Sequence, residues 1–137
     1  MAEQRATTDD KKADALKKSL SECIAQGEAA LSERPDDPCL ACVLIALKDA
    51  DVQDHFVKHL LDNEAFTRAY CLGGVSIPEV QRVVFEFTCV LPKICLFPMR
   101  FMVTVNVITG KVEEIADPAP TFVPVSEQMP GVAFQLP

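Results

Sequence analysis

The sequence predicts an α+β fold, with N-terminal helices packed on one face of a three-stranded antiparallel meander and an extended Pro-rich C-terminal tail. Three observations carry this reading. Apolar residues recur at three- and four-residue spacing through the first half of the chain. After Pro78 the spacing changes to two, as in half-buried strands. Five of the ten prolines fall in the last twenty residues, where Phe and Val are spread between them. Residues 1–8 are expected to be a disordered start, 9–116 a single domain and 117–137 the tail.

The first helix is expected over residues 9–33. Ala13, Leu16, Leu20, Ile24 and Leu31 form one apolar stripe, Thr7 with Asp10 supplies a start signal, and Pro35 stops the helix. Asp36-Asp37-Pro38 is a cap followed by proline at the first helical position, opening a strongly apolar helix over 38–48. Its stripe of Leu40, Val43, Leu44 and Leu47 loses phase before Val52, Phe56 and Leu60, so a turn is expected at Asp49-Ala50-Asp51. Further helices are expected over 51–61 and 63–70, the last ended by Gly73-Gly74. One uninterrupted helix over 38–70 is the alternative.

Strands are expected over 80–91, 99–108 and 111–115. Val83, Phe85, Phe87 and Cys89 alternate with Arg82, Glu86 and Thr88, and Phe101, Val103, Val105 and Val107 with Arg100, Thr104 and Asn106. Thr109-Gly110 is a two-residue hairpin turn, and Pro92 to Pro98 a loop, because two prolines cannot both serve a sheet interior. An open meander with one apolar face needs a cover, which the helices supply.

A chain of 137 residues that is 49% hydrophobic can bury a real core, and no metal or disulfide is required for it to fold. The net charge of -7 repels phosphate backbones and anionic headgroups, which disfavours nucleic acid and membrane as partners. The N-terminus lacks an apolar export segment, so a cytoplasmic location is expected. Six cysteines in such a chain read as reduced thiols, most of them small core residues.

One constellation stands out. Cys39 and Cys42 are followed, after twelve intervening residues, by His55 and His59, the ligand rhythm of a two-cysteine, two-histidine zinc site. Zinc needs four ligands converging at ~2.0–2.3 Å. If the chain reverses at 49–51, Cys42 and the two histidines reach similar heights on antiparallel helices. In a continuous helix Cys39 and His55 would be roughly 24 Å apart and no site could form. Phe56 and Leu60 define the buried face, and His59 lies nearer to it than His55. The competing reading is two half-exposed histidines and two core thiols. A third uses the cysteines alone: Cys39 at a helix start gains thiolate character and would act as nucleophile, with Cys42 as resolving thiol, although Asp36 and Asp37 place negative charge beside them.

Other chemistry is lacking. Gly73-Gly74 is not followed by Lys-Ser or Lys-Thr, no nucleophile sits in a recognisable motif, and Glu113 and Glu114 are adjacent on a strand and face opposite ways. The chain is therefore expected to be a small non-enzymatic protein-binding or regulatory domain, acting through a protein partner or as a homo-oligomer. The tail residues Phe122, Val123, Val125, Val132 and Phe134 are candidate contacts. No cofactor is expected unless Cys39, Cys42, His55 and His59 hold Zn or act in thiol redox chemistry.

Two resemblances add to this. Pro35-Asp36-Asp37-Pro38 through Leu61 resembles the helix-turn-helix rhythm of a tetratricopeptide unit, which implies a helical hairpin. Phe56, Leu60, Leu61, Gly74, Ile77, Pro78, Val83, Val84, Leu91 and Pro92 resemble the pattern of nitrile-hydratase-like leader peptides. That resemblance implies a ribosomal peptide precursor that carries a core segment to modifying enzymes.

Overall fold

The computed structural model describes residues 2–72 and 79–119, with side chains from residue 11 onward. Helix α1 spans Ala2–Glu33, α2 Pro38–Lys48 and α3 Ala50–Leu61; strands β1 Glu64–Leu72, β2 Val80–Cys89, β3 Met99–Asn106 and β4 Lys111–Ala116 follow. The class is α+β. The helix in α1 begins before the boundary at residue 9 read from the sequence.

The helices form where their ends are capped. Asp37 accepts the Leu40 N–H at 3.1 Å, and Pro38 occupies the first turn of α2, where its missing donor costs nothing. Asp49 then decides between hairpin and continuous helix. Its backbone is extended at φ -76°, ψ 132°, its N–H closes α2 on the Ala46 carbonyl, and its carboxylate accepts the Asp51 and Val52 N–H groups that open α3. The Gln53 side chain donates to the Leu47 carbonyl at 2.8 Å and braces the corner. The chain therefore reverses, and α2 and α3 form the helical hairpin that the loss of phase implied.

The sheet has four antiparallel strands in the order β1-β2-β3-β4, one more than the sequence predicts. The segment expected as a helix over 63–70 is β1. Asp62 caps α3, Asn63 takes the left-handed conformation at φ 57°, and the chain turns into strand pairing with β2. Helix-forming Glu64, Ala65, Arg68 and Ala69 are overridden by the ladder. A bulge explains why no period of two was visible. The register shifts between Phe66 and Arg68, so Glu64 and Phe66 face the helices on one side of the shift and Ala69 and Cys71 on the other. The two half-strands are out of phase, which erases the alternation.

The other boundaries move by a few residues: β2 ends at Cys89, β3 at Asn106 and β4 at Ala116. The β3–β4 connection is a four-residue turn over 107–110 in place of the expected two-residue Thr109-Gly110 turn. Asn106 closes it by accepting the Gly110 N–H on its carbonyl and the Ile108 and Thr109 N–H groups on its side chain. Gly110 supplies the positive φ of 69° that the turn requires.

The main core lies between the helices and one sheet face. Leu20 and Ile24 of α1, Leu40, Val43 and Leu47 of α2 and Val52 and Phe56 of α3 meet Ala69, Val83, Phe85, Phe87, Phe101, Val103 and Val105. Phe56 packs edge-on against Phe85 and Phe87 at centroid distances of 6.0 and 5.1 Å, an arrangement worth ~0.5–1.5 kcal/mol per pair beyond burial. The opposite face carries a second buried cluster of Tyr70, Leu72 and Val84, flanked by Met102. There the Arg68 guanidinium lies 4.7 Å from the Tyr70 ring, and Arg68 and Arg100 both donate to buried Glu86. Burial pushes the Tyr70 phenol up, and its hydroxyl finds no partner among the described residues.

Candidate functional site

The α3 histidines sit where α3 meets β1, β2, β3, the β2–β3 connection and the chain after β4. His59 is 7% exposed, with its ring stacked on Phe87 at 4.7 Å and on Phe101 at 5.4 Å. Its Nδ1 faces Glu64 Oε1 at 2.6 Å, and its Nε2 faces Asp117 Oδ2 at 3.0 Å. The same Asp117 oxygen lies 2.8 Å from His55 Nδ1. The second oxygen of Glu64 accepts from Lys93 Nζ at 2.7 Å, and Lys93 also donates to Asp62 at 2.7 Å. Four parts of the chain supply the members. The histidines are one turn apart on α3, Glu64 opens β1 ahead of the bulge, Asp117 follows β4, and Lys93 reaches in from the β2–β3 connection. Hydrogen bonds to Asp62 and then Glu64 push the Lys93 ammonium up, and the bond from Lys93 holds the Asp62 carboxyl below the usual range.

With both ring nitrogens against carboxylates and its ring laid over the neighbouring Phe87 and Phe101, His59 is a buried tie between segments. General acid–base work requires a reacting group within hydrogen-bond reach, and both reachable positions are held by carboxylates. The chemistry this arrangement supports is anchoring.

The cysteines lie elsewhere. Cys39, Cys42 and Cys71 are buried beside a cavity of about 370 Å³ whose walls include Ile45, Gln81 and Val107. Cys71 is in register with Val83, four residues before the Phe87 under the His59 ring, so Cys71 and His59 are offset by roughly 13 Å along the strand at ~3.3 Å per residue. The expected four-ligand set of Cys39, Cys42, His55 and His59 is thus divided into two pairs by a hairpin that forms as required. The hairpin aligns heights, while α2 presents its cysteines toward one end of the sheet and α3 its histidines toward the other. Among the described residues no group of three or more Cys, His, Asp or Glu is disposed to hold a metal ion. Burial pushes the Cys42 thiol up, as a core cysteine requires.

Compared with known protein families, curated proteins and solved structures, the chain matches none of them.

Among the described residues the β2–β3 connection is the most exposed apolar feature. Cys89 and Cys95 form a disulfide, so the expectation of six reduced thiols fails at this pair. Between and beyond them Leu91, Ile94, Leu96 and Phe97 are 77, 82, 93 and 77% exposed. The loop is fixed at its base. The Val90 N–H donates to the Asn63 carbonyl at 2.7 Å, and Lys93 plugs into Asp62 and Glu64. Sequence reasoning passed over Glu64 and Asp117 because one was assigned to a helix and the other to the tail. Lys93 and the exposed loop did leave a signal: two cysteines six positions apart enclosing Val-Leu-Pro-Lys-Ile, a run too apolar for an ordinary solvated turn. The tail residues Phe122, Val123, Val125, Val132 and Phe134, and the motif residues Gly73, Gly74, Ile77 and Pro78, lie outside the described residues.

Proposed function

We propose that this chain is a protein-binding module that inserts the Cys89–Cys95 loop into a concave apolar site on a partner protein. The observation that carries the reading is the set of four large apolar side chains, Leu91, Ile94, Leu96 and Phe97, held out from the sheet by a disulfide and an ion-paired lysine. Monomers rarely leave such a patch uncovered, and a loop ordered in advance loses little entropy on binding. A heterologous partner fits better than a second copy. The loop offers on the order of 500 Å², short of the ~800 Å² per partner of a stable interface, and two convex loops cannot enter each other. A pocket that surrounds the loop adds rim area that a flat contact lacks. The net charge of -7 favours a neutral or basic rim and disfavours anionic lipid.

The test places a photo-crosslinking residue at Leu96 in the full chain. Adducts are formed in the native host, the crosslinked protein is identified and purified, and rebinding is measured. The reading expects a monomer at micromolar concentration and no retention on anionic or zwitterionic vesicles. It expects rebinding weakened at least tenfold by Leu96→Asp with Phe97→Asp, and it expects the crosslink to map to an apolar concavity. Self-crosslinking as the main product, vesicle binding, or rebinding indifferent to the loop variants would overturn it. The same assay on a chain ending at Ala119 tests the candidate role of the tail; unchanged rebinding would remove the tail from it.

The disulfide also bears on location. Such bonds persist in oxidising compartments, so the cytoplasmic reading and the Cys89–Cys95 bond make opposite demands. Thiol counting on protein taken rapidly from its host decides between them.

A further inference from the structure

We infer that Cys39 and Cys71 form a second, reversible disulfide, made and broken by exchange with a small-molecule disulfide admitted to the cavity beside them. The two residues are 32 positions apart in sequence, yet the Cys71 thiol lies 3.6 Å from the Cys39 carbonyl oxygen. Both residues are buried, and both line the same cavity where α2 packs against β1.

The surroundings favour exchange over inert packing. The adjoining cavity of about 370 Å³ falls within the range of small-molecule sites and carries Ile45 and Val107 as apolar wall and Gln81 as a polar group. Cys39 is the second residue of α2, where unpaired amides and the helix dipole favour a thiolate. The nearest acid, Asp37, is occupied as the helix cap by the Leu40 N–H. Cys42 faces the same cavity one turn further along, and burial pushes its thiol up. The contact of the Cys71 sulfur with the Cys39 carbonyl assigns the resolving role to Cys71, across the interface on β1, in place of the Cys42 partner that the CxxC spacing implied.

The step balances. The Cys39 thiolate attacks one sulfur of a disulfide RSSR, forming Cys39–SR and releasing RS⁻, which takes up the proton that Cys39 gave to solvent. Cys71, losing its proton, then attacks the Cys39 sulfur, forms the Cys39–Cys71 bond and releases the second RSH. Two protein thiols are oxidised and one disulfide is reduced to two thiols. The product ties the start of α2 to the edge strand β1.

The test uses the full chain, reduced mildly enough to leave Cys89–Cys95 intact as an internal reference, then exposed to oxidised glutathione. Remaining thiols are alkylated under denaturing conditions and the peptides mapped by mass spectrometry. The expected result is a Cys39–Cys71 linked peptide that forms in the folded protein and disappears on adding reduced glutathione. Cys71→Ser should leave Cys39 as the stable glutathione adduct, and Cys42→Ser should leave the link intact. A Cys39–Cys42 link, no link in folded wild-type protein, or a link that forms only in denaturant would overturn the inference. The wild-type mapping stands even if a variant fails to fold.

Discussion

Replacing His59 with alanine should destabilise the domain by about 2–5 kcal/mol. Glu64, whose side chain is 2% exposed, would lose the partner of Oε1, and an orphaned buried acceptor costs about 1–3 kcal/mol. The missing ring would leave a void over Phe87 and Phe101. At ~24 cal/mol per Å³, a partly relaxed imidazole-sized space adds about 1–2 kcal/mol. The total agrees with the ~3–5 kcal/mol found when one member of a buried pair is removed. Urea unfolding followed by circular dichroism is the assay, with a lowered midpoint at unchanged slope and a fall in Tm of roughly 10–15 °C. A second arm separates pairing from packing. His59→Leu with Glu64→Leu removes the buried charge as well as its partner and should recover at least ~2 kcal/mol relative to His59→Ala. Additive losses, or a His59→Ala cost below ~1 kcal/mol, would refute the tie between α3, β1 and the residue following β4.

Two further outcomes follow from the loop's base. The folded Asp62 pKa is depressed, so its contribution is present above the unfolded carboxyl value and is lost as pH falls through the folded one. Lys93 is raised, so its contribution is complete below the unfolded lysine value and is lost as pH rises through the folded one. The Tm difference between wild type and Lys93→Met should therefore be widest in the neutral range, shrinking as pH falls below the ordinary carboxyl value and as it rises above the ordinary lysine value; a difference constant across pH would sink this account. Opening the loop with Cys89→Ser and Cys95→Ser together should cost about 2 kcal/mol, the closure entropy of a short loop, and should weaken partner rebinding while the sheet persists. Stability indifferent to this change, with rebinding intact, would show that the bond does not organise the loop.

Much of the architecture was legible in the chain. The hairpin at Asp49, the caps at Asp37 and Asp49, and the inward set Val83, Phe85, Phe87, Phe101, Val103 and Val105 follow from local signals, because a missed stripe and a period of two are properties of neighbouring residues. Strand β1 was not. Its bulge puts two opposite phases in one nine-residue segment of good helix formers, and only pairing with β2 makes the strand. The site was half legible: the spacing puts His59 nearer the buried face than His55 but reads both as half-exposed, whereas His59 is buried, and its partners Glu64 and Asp117 come from elements misassigned or lying 58 residues away.

Local periodicity and capping chemistry thus fix where helices begin and end and which strand faces look inward, since these are set within a few residues. The tertiary structure decides which polar groups meet. A shared spacing of cysteines and histidines said that four ligands could converge. The direction each helix face takes across the sheet sends the thiols toward Cys71 and the imidazoles toward Glu64 and Asp117.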